Sequence, residues 1–187
     1  EFEKLEDSNF DSPMGEASGA GAIFGTTGGV MEAALRTAQD TLTGEDLPKI
    51  DFEQVRGGEG IKRATINIAG KEINVVAASG LANAKTILEE IKSGKANYQF
   101  VEIMACPGGC IMGGGQPIKS SKIRAEVDVR KLRADAIYSI DERSIVRKSH
   151  ENPVMKKLYA DFLEKPGSEI AEKLLHTTYT KRKKYNI

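Results

Sequence analysis

The only two thiols in this chain of 187 residues, Cys106 and Cys110, lie four positions apart in the stretch FVEIMACPGGCIMGGGQP, Phe100 to Pro117. Pro107-Gly108-Gly109 separates them, and Gly113-Gly114-Gly115 follows. Five glycines within eight positions cost chain entropy. Such density occurs where backbone must approach something closely or adopt positive φ. Four kinds of chemistry fit two thiols in such a loop. A disulfide is sterically short at this spacing, and no secretory signal accompanies it. A mononuclear zinc site lacks a second Cys pair or nearby His to complete a tetrahedron. Inert thiols in a glycine turn are the plain alternative. Iron–sulfur ligation suits the chemistry best, because soft thiolates bind iron–sulfur clusters and peptide N–H groups can hydrogen-bond to the sulfides. Spacing alone leaves all four open.

A cube of four irons and four sulfides normally takes four thiolates, and this chain offers two. The remaining ligands would then come from a partner segment. The chain also begins at Glu1 rather than Met, and so reads as a processed product, a cloned fragment or a separated part of something longer.

Several elements must hold the cysteine loop. The apolar run Phe100 to Met104 leads into it as a strand. Before it, Leu81 to Lys92 carries Leu81, Ala84, Ile87, Leu88 and Ile91 on one helical side, and Ser93-Gly94 ends it. Glu72 to Ala78 is a strand with a continuous apolar run, suited to burial on both faces. Ala64 to Ile68 alternates as a strand should, and Gly70-Lys71 is the hairpin turn between the two. Strand, helix, strand makes a βαβ unit with a right-handed crossover. Ligand sites in open α/β sheets sit beyond the carboxyl ends of strands, where Ser79-Gly80 and Ala105-Cys106 fall.

Upstream, Gly28-Gly29 precedes an amphipathic helix from about Val30 to Leu42, with Thr27 as its N-cap and Gly44 as its stop. The glycine loop Gly25 to Gly29 reads as a tight packing loop. A phosphate cradle is the alternative, without the lysine of a nucleotide loop. Downstream, Arg124 to Tyr138 reads as a surface helix with a solvated charged face. Pro153 starts a helix to about Leu163, capped by Asn152, with Leu158, Tyr159 and Phe162 as its apolar face. Pro166-Gly167 breaks it, and Ser168 caps a last short helix to Leu175. His150 and His176 are expected to be structural rather than metal ligands. The basic tail Lys181-Arg182-Lys183-Lys184 reads as a solvated or docked end, with an acidic electron carrier as its alternative partner.

The expected fold class is therefore α/β: a small, mostly parallel sheet flanked by helices, with a helical C-terminal extension. Residues 1–117 would form the core with the cluster loop, and 118–187 the extension and tail. The 40% hydrophobic and 29% charged fractions are those of a globular protein. Net charge is zero, from 27 basic and 27 acidic side chains, which argues against nucleic acid or an anionic membrane as main partner. No apolar run approaches a membrane span. The absence of a leading signal pattern and the presence of free thiols point to the cytoplasm.

Glu102-Ile103-Met104-Ala105-Cys106-Pro107-Gly108-Gly109-Cys110, with Gly113-Gly114-Gly115-Gln116-Pro117, resembles the third signature of the iron-only (FeFe) hydrogenases. Gly21 to Thr37 and Arg147 to Pro153 resemble the same family. The resemblance covers nearly the whole chain and is to the C-terminal half of that catalytic domain. It implies a 4Fe–4S cube joined through a cysteine sulfur to a two-iron unit carrying CO, cyanide and a dithiolate bridge, together called the H-cluster. Cys106 would ligate the cube, and Cys110 would ligate the cube and bridge to the two-iron unit. Met104 would pack near that unit, with Phe24 and Gly25 beside it. The implied reaction is the reversible joining of protons and electrons to hydrogen. The implied partners are the other half of the domain and an electron carrier such as ferredoxin. The family's first two signatures, with two further cysteines, a lysine and the proton-relay residues, have no counterpart in this sequence. No catalytic residue is assigned to it, and the chain alone is expected to be inactive, with loops near Phe24, Ser79 and Cys106 lacking their partner surface. Iron–sulfur assembly proteins related to hydrogenases keep a similar cysteine-and-glycine signature and form the second reading.

Overall fold

The structure is a computed structural model that describes residues 2–9, 11, 14–46, 51–57 and 60–182. The Lys183-Lys184 part of the basic tail lies outside them. The chain divides into two compact units, residues 17–152 and residues 1–16 with 153–187.

Among the described residues, the larger unit is built on three strands in the order β1 (Ile61–Ile68), β2 (Lys71–Ser79), β3 (Phe100–Met104). β1 and β2 form the expected hairpin, antiparallel from Ile61 opposite Ala78 to Ile68 opposite Lys71. Ala69 and Gly70 turn it with positive φ. β2 and β3 pair in parallel, Val75 opposite Phe100 and Ser79 opposite Met104. The sheet is thus mixed. In β1 only one face is apolar, so Ile66 and Ile68 are buried while Thr65 and Asn67 are exposed. β2 is central, and all its residues from Val75 to Ser79 are buried.

Two helices cover the sheet. Helix α2 (Gly29–Thr43), preceded by the short α1 (Gly19–Ile23), sends Met31 and Leu35 onto one face, with Phe52, Val55, Ile66, Ile68, Val75 and Ala77. Helix α3 (Leu81–Lys92) covers the other face through Ile87, against Val76 and Ala78. Its expected apolar side is only partly used: Leu81, Leu88 and Ile91 are exposed. Strands lie about 4.8 Å apart, so three of them give a face no wider than a single helix.

The expected surface helix after Lys122 is two helices, α4 (Ser121–Glu126) and α5 (Val129–Arg143). The chain is extended at Val127, and Asp128 restarts the helix by accepting the Lys131 N–H at 2.9 Å. The face of α5 toward the core is not solvated. Asp141 is fully buried there.

In the smaller unit, α6 (Pro153–Leu158) continues into a π-type turn over Tyr159–Leu163. That extra residue per turn rotates the apolar face, so Leu163 is buried and Phe162 is exposed. Helix α7 (Glu169–Leu175) is capped as expected, with Ser168 Oγ accepting the Ala171 N–H at 3.2 Å.

Candidate functional site

The cysteine loop leaves the carboxyl end of β3. Gly109 N–H donates to the Cys106 carbonyl at 2.9 Å, closing a turn around Pro107 and Gly108. A single 3-10 turn, Cys110–Met112, follows, in which Gly113 N–H donates to the Cys110 carbonyl at 3.0 Å. Gly109 has φ of 94°, and a Cβ there would lie 2.7 Å from the Gly25 carbonyl oxygen. No other residue satisfies both conditions. Cys106 is half-buried and Cys110 exposed, both as free thiols. A Cβ at Gly113 would sit 3.3 Å from Cys106 Sγ, so glycine keeps that flank of the sulfur open.

Neighbouring elements fasten the loop through its backbone. Ser79 Oγ, at the end of β2, accepts the Gly108 N–H at 3.1 Å. Gly25 O accepts the Ile111 N–H at 3.1 Å. Arg133 of α5 donates to the Ile111 and Pro117 carbonyls, both at 2.8 Å. Gly80 N–H donates to the Met104 carbonyl at 2.7 Å, so the two strand ends open on one edge, as topology demands. Gly25 therefore touches the segment just after Cys110. Phe24, one residue before it, is 43% exposed, and Met104 is half-buried at the strand end.

The loop of residues 24–28 is also held from behind, by residues that sequence reasoning missed. The N-cap of α2 is Gly28, not Thr27, and has no side chain to cap with. Glu102 of β3 caps it instead: Oε1 accepts the Gly28 N–H at 2.6 Å and Oε2 accepts the Met31 N–H at 2.7 Å. An anion at a helix N-terminus is favourable. The phosphate-cradle reading thus finds its physical basis, but the anion is the protein's own carboxylate. Lys62 of β1 lies on the other side, and its Nζ donates to the carbonyls of Thr27 at 2.8 Å, Val55 at 2.5 Å and Gly57 at 3.2 Å. The available signal was a charged residue inside an apolar strand run, Glu102 between Val101 and Ile103, and Lys62 after Ile61.

The family described as iron only hydrogenase large subunit, C-terminal domain, matches residues 1–114, and that described as iron hydrogenase small subunit matches residues 127–182. The chain belongs to the iron-only hydrogenase family. It is 48% identical over 183 residues to iron hydrogenase 1 of Clostridium pasteurianum, covering 96% of this chain and 31% of that protein. Identity to the NADP-reducing hydrogenase subunit HndD of Solidesulfovibrio fructosivorans is 47% over 184 residues, covering 98% and 31%. Among solved structures, the FeFe-hydrogenase HydA1 of Chlamydomonas reinhardtii matches with a TM-score of 0.66 and 40% identity, over 94% of this chain and 50% of that one. The chain therefore spans about a third of those curated relatives. A periplasmic iron hydrogenase large subunit of Nitratidesulfovibrio vulgaris is 48% identical over 125 residues. Protein NAR1 of Arabidopsis thaliana is more distant, at 32% over 185 residues. No helix among the described residues is long and apolar enough to cross a membrane.

Away from the cysteines, the family match at Arg147 to Pro153 falls on a buried charge network. Arg36 pairs with both Asp141 oxygens at 2.8 Å and with Glu32 at 2.8 Å. Arg56 pairs with Glu32 at 2.6 Å and Asp51 at 2.7 Å, and Arg147 with Asp141 at 2.6 Å and Asp51 at 3.0 Å. Burial pushes the Asp141 carboxyl up, but hydrogen bonds from Arg36 and Arg147 outweigh it and hold it below the usual carboxylate range. Arg56 also stacks 4.2 Å above the Tyr138 ring. Burial pushes the Tyr138 phenol up to about 12.

His150 meets Asp40 at 3.1 Å and Thr37 at 3.0 Å. With Glu151, the ligand atoms of Asp40 and His150 lie within 4.8 Å of one another, a metal-like grouping. The cation there is Lys148, whose Nζ donates to Asp40 at 2.6 Å and also to Asp46. His176 pairs with Glu172 at 2.6 Å, one helical turn earlier.

Proposed function

We propose that this chain is the C-terminal lobe of an iron-only hydrogenase catalytic domain, and that it supplies two of the cysteine ligands of the H-cluster. One observation carries the reading: two free, solvent-reachable thiols stand on a glycine loop whose backbone is fixed by three neighbouring elements. The donor set fits. Soft thiolates suit an iron–sulfur cube, and neither sulfur is consumed by a disulfide. Cys106 would hold the cube, and Cys110 would hold the cube and reach the diiron unit. When bound, the cluster supplies the redox chemistry that interconverts protons and hydrogen.

The chain's own residues bind and orient. Gly113 leaves room beside the Cys106 sulfur, Gly109 lets the cysteine loop close on the Gly25 backbone, and Met104 and Phe24 offer apolar surface. No acid or base on this lobe is assigned to proton transfer. The other half of the domain would bring the remaining thiolates and the proton relay. The proposed electron donor is a ferredoxin-like carrier. Residues 118–152 would act with the cysteine loop, since Arg133 donates to the Ile111 and Pro117 carbonyls. Reduced thiols favour the cytoplasm, although one relative is named as periplasmic.

The test is hydrogen evolution from a reduced donor by the complete domain, compared with its Cys110→Ser variant. Activity in the parent and its loss in the variant support the reading. A parent that binds iron but evolves no hydrogen would move the assembly-protein reading, represented by NAR1, ahead.

A further inference from the structure

We infer that Lys62 and Glu102 are positioning residues that clamp a single peptide group, Thr27–Gly28, and through it set where the Gly25 loop stands against the cysteine loop. The inference rests on the hydrogenase reading for its purpose, though not for its geometry. Lys62 Nζ holds the Thr27 carbonyl at 2.8 Å. Glu102 Oε1 holds the Gly28 N–H at 2.6 Å. These are the two ends of one peptide unit, gripped by a cation at the oxygen and an anion at the nitrogen.

Both side chains are buried, Lys62 to 7% exposure and Glu102 to 6%. Hydrogen bonds to charged groups are about twice as strong as neutral ones and gain strength where water is excluded. Flipping the peptide would turn its carbonyl toward the carboxylate and its N–H toward the ammonium. Neither charge would gain a partner in exchange. Gly28 has φ of 94°, and a Cβ there would lie 2.0 Å from the Val55 carbonyl, so the position is closed to other residues.

Packing closes this loop on one side only, where Gly28 faces Val55. A cavity of about 480 Å³ borders Thr26, Thr27, Arg56, Gly108, Ile111 and Tyr138. Thr27 Oγ1 is buried without a hydrogen-bond partner. On the cavity side no side chain among the described residues packs against this peptide to hold it, and the polar clamp adds to the turn bonds Thr26 N–H to Ile23 O and Gly29 N–H to Thr26 O. From the clamped peptide the path is short. Gly25 O, two residues before Thr27, accepts the Ile111 N–H, one residue after Cys110. Glu102 itself lies on β3, four residues before Cys106. One side chain thus ties the strand that delivers the first cysteine to the loop that faces the second.

The experiment uses the complete domain, with this chain joined to its other half, as wild type, Lys62→Met, Lys62→Arg and the near-isosteric Glu102→Gln. Hydrogen exchange is followed in the metal-free protein over residues 24–31, 110–113 and 73–79. In Lys62→Met and Glu102→Gln, exchange in the first two segments rises about tenfold or more while the β2 segment changes less than about threefold. Lys62→Arg, which keeps a buried cation, restores protection. In the loaded protein the same two variants retain iron and show a shifted EPR signal. Equal acceleration in all three segments would reduce the pair to a general stabilising role and overturn the inference, as would no acceleration in any. If the wild-type domain takes up no iron, the hydrogenase reading fails, and the exchange pattern still decides the clamp.

Discussion

Helix α2 is finished differently at its flank and at its amino end. Along the flank, three arginines meet three carboxylates, and Glu32, Arg36 and Asp141 are essentially fully buried. At the amino end, the clamped loop and the cysteine loop meet through backbone contacts, and their outer side is open: Cys110, Phe24, Ile103 and Met112 are exposed. The flank is closed by this chain's own side chains. The cysteine edge offers unconsumed ligands and apolar surface to something else. The two regions therefore differ in what completes them: the ionic flank is closed within this chain, and the cysteine edge, where the function is proposed, is not.

The largest effect that would sharpen this contrast is on the open edge. Cys110→Ala in the complete domain removes a ligand and reduces hydrogen evolution to background, as gas chromatography would record. The unfolding free energy of the metal-free protein in urea stays within about 0.5 kcal/mol of the parent, because the residue is exposed. A large loss of stability would show that the edge is part of the core.

Next comes the flank. Asp141→Ala leaves the buried Arg36 without its two-oxygen partner and costs roughly 3–5 kcal/mol in urea unfolding. The cysteine loop is untouched, so iron uptake per folded molecule is unchanged. A cost below about 1 kcal/mol would mean that the network is already wet.

Gly109→Ala sits on the boundary. With φ of 94° and a Cβ 2.7 Å from Gly25 O, it costs about 1–3 kcal/mol and displaces the cysteine loop. Unlike Asp141→Ala, it lowers iron uptake as well as stability.

The smallest effect is with pH. Burial raises the Asp51 and Asp141 carboxyls, but hydrogen bonds to Arg56, Arg36 and Arg147 hold both below their ordinary values. A depressed carboxylate contributes stability that is present above its unfolded value near 4 and is lost as pH falls toward the folded one. Unfolding followed from pH 5 downward shows this loss, and Asp141→Asn flattens the slope. An unchanged slope would remove Asp141 from the account.

The parts legible in the sequence are those governed by local pattern. The hairpin followed from alternation around Ile66 and Ile68 and from Gly70, and α3 followed from its period and its glycine stop. The cysteine loop was legible because thiols and glycines carry their chemistry in their identity. Tertiary partners were not. Thr27 was a reasonable cap, but the carboxylate of Glu102, 74 positions after Gly28 and 71 after Met31, takes that place. Leu81, Leu88 and Ile91 had helical spacing, but nothing local shows that the sheet beneath has three strands among the described residues. Arg133 belonged to a helix face read as solvated, and its carbonyl partners lie 16 and 22 positions earlier.

The central claim is that Cys106 and Cys110 are half of a shared ligand set. It is tested most directly by anaerobic addition of iron and sulfide, followed by Mössbauer and EPR spectroscopy, with and without the other half of the domain. The account predicts a 4Fe–4S signal only when both halves are present. A stable cube on this chain alone, or no iron uptake by the pair, would contradict it.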